Sequence, residues 1–335
     1  MRKVSLKTLA ATLFGGSGTR FEIERAVRSE ADATTRNTYV AIRRLAIETG
    51  SEDDVGKLYR DWKGVVAWVN GKDSPPSPAS KLCYYSALSA AARLVPAVSA
   101  SAASKKMFRA EAAALSKRIR DERAGSLLDE REKLAIMPWP NILAAYDKGR
   151  GKLSDTDGLV AALYLAGGDD PAGAPRRLDY NAVRVFIGKA PLPIPEGMNY
   201  VVVRSSTRVD LVLQEFKTSK HYGPYSVALP ASVSRVIHRS VELRPRDWLV
   251  HDDAGRPLTA SAFGRRVARV MKRLTGKPIG ASNLRKSFVS WLFSRGDLSP
   301  ERFAEYARAM NHSTSEQQAY CRRNIGPGKY IDCKL

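Results

Sequence analysis

Cysteine and histidine are scarce in this chain, with only Cys83, Cys321 and Cys333 and four histidines in 335 residues. Cysteines so few, odd in number and far from metal-ligand spacing exclude a disulfide scaffold and fit a reducing compartment. No His/Cys/Asp/Glu cluster suggests a metal, and no glycine-rich loop of the Walker type occurs, so neither metal nor ATP is expected as a cofactor. Long apolar runs are missing too. The best, Gly158 to Ala166, is about half of the ~18 residues a membrane helix needs and ends in Gly167-Gly168. No membrane span is expected. The basic, hydroxyl-rich stretch Met1 to Arg20 looks superficially like a transit peptide but lacks a clean apolar core, so it is not read as a targeting signal.

Acidic residues are also in short supply: 34 Asp+Glu face 55 Lys+Arg, a net charge of +21. Such a chain repels itself and suits a polyanionic partner such as DNA, RNA or an acidic membrane face. What is abundant is core material. An apolar content of 44% with five Trp and thirteen Tyr is a globular composition. The length suggests about two domains.

From Ala33 the pattern turns helical, with Tyr39, Ile42, Leu45 and Ile47 spaced for one face. Val55 to Val69 reads as a second helix with Leu58, Trp62, Val65, Val66 and Val69 inward. Gly71 to Pro78 is a loop, and Ser80 is expected to cap a third helix. Residues 97–125 read as a long basic helix, either a phosphate-contacting surface or an ordinary solvated face. Charged residues give way near Gly125 to Met137 to Pro138-Trp139-Pro140, which places an interdomain link there. Beyond it Ser154-Asp155 caps a helix. Tyr200 to Val203, Val209 to Leu213 and Tyr225 to Leu229 are β-branched runs suggesting a small antiparallel sheet. Four helices follow, the third opened by Ser299-Pro300 and the fourth by the capping box Thr314-Ser315-Glu316-Gln317. The expected fold is mainly α with a small antiparallel β-sheet. It comprises an all-helical domain over 1–130 and an α+β domain over 131–335.

Several polar groups fall where elements meet. Arg176, Arg177 and Asp179 follow the Gly167-Gly168 helix stop. Lys217 and Lys220 lie between the second and third strand runs. Ser282, Arg285 and Lys286 open a helix, while His312 sits between two helices and Tyr320 on the next. Two arginines, a lysine, a histidine and a tyrosine suit phosphoryl transfer without metal. Guanidinium forks match non-bridging phosphate oxygens and stay charged. A tyrosine can attack phosphorus covalently, and a lysine among other cations can supply the leaving oxygen's proton.

In this order the residues resemble the tyrosine recombinases, the integrase family. That family's first box is an arginine three residues before an acidic residue, and Arg176 stands three before Asp179. Its lysine lies in a β-hairpin, matched by Lys217. Its H-x-x-R box fits Ser282-Asn283-Leu284-Arg285, with serine in place of histidine. Its Leu-Gly-His box fits Met310-Asn311-His312-Ser313, and its tyrosine fits Tyr320, eight residues on instead of about nine. The PRRLDY phrase and the HSxxxQxxY ending are closest in flavour to recombinases of cryptons and large eukaryotic DNA viruses. The likeness covers roughly 138–325. It extends more weakly to the helical N-terminal part, which looks like a core-binding domain.

The resemblance implies site-specific DNA strand cleavage and rejoining through a 3′-phosphotyrosine on Tyr320. Arg176 and Arg285 would hold the phosphate and Lys217 would protonate the departing 5′ oxygen. His312 would orient the phosphate and help deprotonate the tyrosine, with Ser282 a weaker donor. Arg177, Lys220 and Lys286 are then candidates for DNA contacts. Arg177 remains open as the first-box arginine, Lys220 as the lysine, and Tyr306 or Tyr330 as the nucleophile. The implied partners are double-stranded DNA and a homotetramer, with no cofactor, inside the cell where DNA is. The stretch after Tyr320, through Lys329 to Cys333, is a candidate for docking on a neighbouring protomer. Two alternatives share the fold: a decayed, purely DNA-binding protein, and a type IB topoisomerase or telomere resolvase.

Overall fold

The structure, a computed structural model, describes residues 33–51, 56–71, 77–94, 101–124, 128, 130–190 and 196–323. The stretches Met1 to Arg20 and Lys329 to Cys333, with Tyr330, lie outside them. The chain divides into two compact units, Met1–Gly125 and Ser126–Leu335.

In the first unit the described residues form five helices: α1 (Ala33–Glu48), α2 (Lys57–Arg60), α3 (Trp62–Asn70), α4 (Pro78–Leu94) and α5 (Ala102–Ala124). Their apolar faces meet in one core holding Ile42, Leu45, Leu58, Tyr59, Val65, Val69, Tyr85, Leu88 and Phe108. Tyr59 buries its ring there and satisfies its hydroxyl on the Leu88 carbonyl at 3.0 Å. Three local readings are corrected. Ile47 is 43% exposed, since Ala46 takes the inward position instead. The Val55 to Val69 helix is broken at Asp61, whose carboxylate accepts the Gly64 amide and starts α3 afresh. Ser77, not Ser80, caps α4, accepting the Ser80 amide at 3.2 Å. Basic residues of α5, among them Lys106, Arg109, Lys117 and Arg118, are exposed.

The second unit carries α6 (Glu130–Ala135), α7 (Trp139–Gly149), α8 (Asp155–Leu165), β1 (Val183–Ile187), β2 (Asn199–Ser205), β3 (Arg208–Leu213), the single turn α9 (Ser219–Tyr222) and β4 (Tyr225–Ala228). There follow α10 (Ala231–Leu243), α11 (Ala260–Thr275), α12 (Ala281–Arg295), α13 (Pro300–Ala309) and α14 (Thr314–Tyr320). Ser154 caps α8 through the Asp157 amide, as its sequence suggests. Apolar on every side, α8 runs through the core, with Leu159, Val160, Ala161 and Ala162 at 0% exposure. Against it pack α10 and α11, the latter burying Phe263, Val267, Val270 and Met271.

The fold is mainly α with a small sheet of order β1-β2-β3-β4. The three strand runs seen in the sequence pair antiparallel, and β1 adds to them in parallel, so the sheet is mixed. On its other side Val183–Ile187 has only a bridge: the Val185 amide donates to Asp247 O and the Leu249 amide to Val183 O. Ser313, one residue ahead of the expected capping box, caps α14 by accepting the Glu316 amide at 3.1 Å. Cys83 is an exposed free thiol, and Cys321 is buried. No helix among the described residues is long and apolar enough to cross a membrane.

Candidate active site

Among the described residues, Arg176 and Arg285 head the largest fully buried side chains, both at 0% exposure. A buried guanidinium is costly unless its donors are satisfied. For Arg285 they largely are. Placed inward by α12 beside Leu284 and Phe288, it donates to Pro175 O at 3.3 Å, to Met310 O at 3.0 Å, and to His312 Nδ1 at 3.1 Å. Burial pulls the guanidinium below its usual range, and Tyr320 opposes that shift. One side chain thus ties together the chain ahead of Arg176, the end of α13 and the histidine.

His312 owes its position to the way α13 stops. Asn311 adopts φ 56°, the left-handed region that costs least for Gly, Asn and Asp. The Asn311 amide donates to Arg308 O and the His312 amide to Ala307 O, the two bonds of a Schellman stop. Asparagine is among the few non-glycine residues that serve at this backbone angle. Asn311→Val is expected to cost about 1–3 kcal/mol in a thermal or denaturant melt, whereas Asn311→Gly is tolerated.

The bond from Arg285 settles the tautomer of His312. Arginine only donates, so Nδ1 accepts and Nε2 carries the proton. That Nε2 is buried with no hydrogen-bond partner. Burial, reinforced by Arg285 and Arg177, lowers the imidazole to about 3. His312 is therefore a neutral donor at ordinary pH.

Arg176 contrasts with Arg285. Its Nε and both terminal nitrogens are buried and make no hydrogen bond of good geometry. It stacks on Tyr225 of β4, 4.4 Å from the ring centroid. Asp179 lies within electrostatic reach of Arg176, Arg285 and Arg177, yet burial raises its carboxyl above the ordinary range. Arg177 turns the other way, donating to Glu316 at 2.5 Å, while its carbonyl is held by the buried Tyr164 hydroxyl at 2.6 Å.

Tyr320 ends α14 half-buried, its ring 5.5 Å from the His312 ring and 4.9 Å from the Arg285 guanidinium. Burial opposes ionisation of the phenol, but Arg285 and Arg177 outweigh it and hold the hydroxyl below its usual range. Arg177, left open in the sequence, is thus a neighbour of Tyr320. Tyr306 is no rival: its hydroxyl donates to Asp169 O at 2.6 Å, its side chain is buried, and burial raises its phenol.

Arg176, Arg177, Arg285, His312 and Tyr320 thus gather in one region. Lys217 and Lys220 are exposed in the β3–β4 connection, which is moored there by Thr218, whose hydroxyl donates to Asn311 O at 3.1 Å. Ser282 is exposed on the first turn of α12, and no hydrogen bond links it to the group. Lys286 is not a free surface cation, since its ammonium is paired with Glu132. Asp179, noticed in the sequence only as a spacing marker, and Tyr225 and Glu316 were missed as site residues. No local pattern marks them.

No family model matches the chain, and no curated protein matches it. Among solved structures, a crystal structure of XerA recombinase aligns with 94% of this chain and 92% of its own, at 12% identity and a TM-score of 0.32.

Proposed function

We propose that this chain cuts and rejoins DNA strands through a covalent phosphotyrosine on Tyr320. The observation that carries the reading is a guanidinium, Arg176, buried with no hydrogen bond of good geometry from any of its three nitrogens, in one region with Arg285, His312 Nε2–H and a phenol biased toward ionisation. Unmet buried donors clustered around a potential nucleophile suit an anionic centre whose charge grows in the transition state. The order of the sequence boxes supports a DNA phosphodiester as that centre and a 3′ linkage.

In the proposed step the Tyr320 oxygen forms a bond to phosphorus while the bond to the 5′ oxygen breaks. The phenolic proton leaves to solvent, helped by Arg285 and Arg177. Lys217, in the moored turn, protonates the departing oxygen. Arg176 and Arg285 take the non-bridging oxygens, and His312 adds a neutral hydrogen bond from Nε2. The energy of the broken ester is kept in the phosphotyrosine, so rejoining is the reverse reaction and needs no cofactor. Double-stranded DNA is the proposed partner, with the basic helical unit around α5 as a further contact. A homotetramer on DNA and a location inside the cell remain part of this proposal.

The test is a duplex nicked near the cleavage point, which loses its leaving strand and traps the enzyme. A denaturing gel should show a protein–DNA adduct that accumulates with wild type. Tight binding without adduct would favour the decayed binding protein, and relaxation of plasmid lacking a special site would favour a topoisomerase.

His312 as donor, not base, has its own consequence. Glutamine can accept from Arg285 and donate onward, so His312→Gln should keep adduct formation within about tenfold. His312→Leu, which can do neither, should lose about 10²–10³-fold. A histidine acting as base would make the two variants equally poor. The pH dependence of stability is a second readout. Unfolded His312 takes up a proton near 6.5 and the folded form only near 3, so its contribution is complete above 6.5 and lost as pH falls toward 3. Melting temperatures across that window should fall less steeply for His312→Gln than for wild type.

A further inference from the structure

Glu132, on α6, lies 190 residues from Arg322 and 154 from Lys286, and its carboxylate binds both. Arg322 Nε meets Oε2 at 3.0 Å and Nη2 meets Oε1 at 3.3 Å, a two-pronged grip. The remaining nitrogen of that guanidinium, Nη1, donates to Ala319 O at 2.8 Å and Cys321 O at 2.9 Å, the carbonyls on either side of Tyr320. The Arg322 amide donates to Ser290 Oγ at 2.8 Å, and that hydroxyl donates to Lys286 O on α12, one residue from Arg285. Around Glu132 the α6 segment is itself tied down. Lys277 Nζ donates to Lys133 O and Ile136 O, each at 3.2 Å, and Asn283 Nδ2 to Ala135 O at 3.1 Å.

We propose that Glu132 is a positioning residue for Tyr320, setting the tyrosine against Arg285 by holding Arg322 and Lys286 at once. The three side chains are nearly buried, at 13%, 6% and 19% exposure, so their charges are not spent on solvent. Burial alone would raise the Glu132 carboxyl, but Arg322 and Lys286 outweigh it and keep it ionised. Releasing Arg322 frees the backbone on both sides of Tyr320, and a misplacement of about 1 Å at a reacting atom can cost up to about 10²-fold in rate. The inference rests on Tyr320 as the nucleophile.

Two readouts of Glu132→Gln test it. The first is the ionisation of Tyr320 without DNA, followed by tyrosinate absorbance with Tyr320→Phe as the blank. The second is adduct formation at saturating nicked DNA. Glu132→Gln should move the Tyr320 midpoint up toward the ordinary phenol value of about 10. It should slow adduct formation about tenfold or more while DNA affinity holds, and Glu132→Asp should recover part of both. A folded Glu132→Gln that titrates and reacts like wild type overturns the proposal. If that variant does not fold, Arg322→Lys takes its place, with the same expected shifts and the same overturning result. A wild type that forms no adduct defeats the DNA reading, while the titration still reads the clamp.

Discussion

Tyr320→Phe is expected to abolish covalent capture of DNA, by at least about 10⁴-fold, while leaving duplex affinity close to wild type. Only the reacting oxygen is removed. The ring, which packs 5.5 Å from the His312 ring and 4.9 Å from the Arg285 guanidinium, stays in place. No rescue is expected from Tyr306, because its hydroxyl is already committed to the Asp169 carbonyl. The measurement is the single-turnover rate of adduct formation on nicked duplex, alongside a binding titration. A Phe variant that still forms adduct at the wild-type rate moves the nucleophile elsewhere.

The second large effect separates two arginines that look alike in the sequence. Replacing either by Met should lower the adduct rate about 10²–10³-fold, because each is assigned to the developing charge on phosphate. Their effects on stability should differ in size. Arg285→Met strands the Pro175 and Met310 carbonyls in the core, at about 1–3 kcal/mol each, and releases His312. Arg176→Met gives up no hydrogen bond of good geometry, only the stacking on Tyr225 and the electrostatic contact with the Tyr180 hydroxyl and Asp179, and it removes a cation whose desolvation the free protein must bear. The losses and the relieved desolvation offset, and a stability within about 1 kcal/mol of wild type is expected there. Thermal melting of the two variants reads the contrast directly. A Tm that falls for both by the same amount would mean that Arg176 is an ordinary structural ion.

Much of this site was legible in the sequence because its chemistry restricts residue type. A guanidinium between Leu284 and Phe288 on an apolar helix face has to be buried and oriented, and Arg285 is. A capped helix starting just after a histidine carries its tyrosine back toward that histidine, as α14 does. The illegible parts depend on partners far along the chain or on backbone angle. Nothing near Arg177 reveals Glu316, 139 residues away, and nothing near Lys286 reveals Glu132. Residue 311 takes a left-handed angle that only the end of α13 explains. Ser282, assigned by spacing to the place of a histidine, is exposed on the first turn of α12 while Arg285 three residues on is fully buried, so helical spacing alone did not decide what reaches the pocket. The sheet's parallel strand β1 was missed because short β-branched runs announce hairpins more clearly than crossovers.

The most direct measurement is mass spectrometry of the peptide that remains attached to DNA after nicked-duplex trapping and proteolysis. The account requires a nucleotide 3′-phosphate esterified to Tyr320. Attachment at Tyr330, at Tyr306 or at any serine contradicts it.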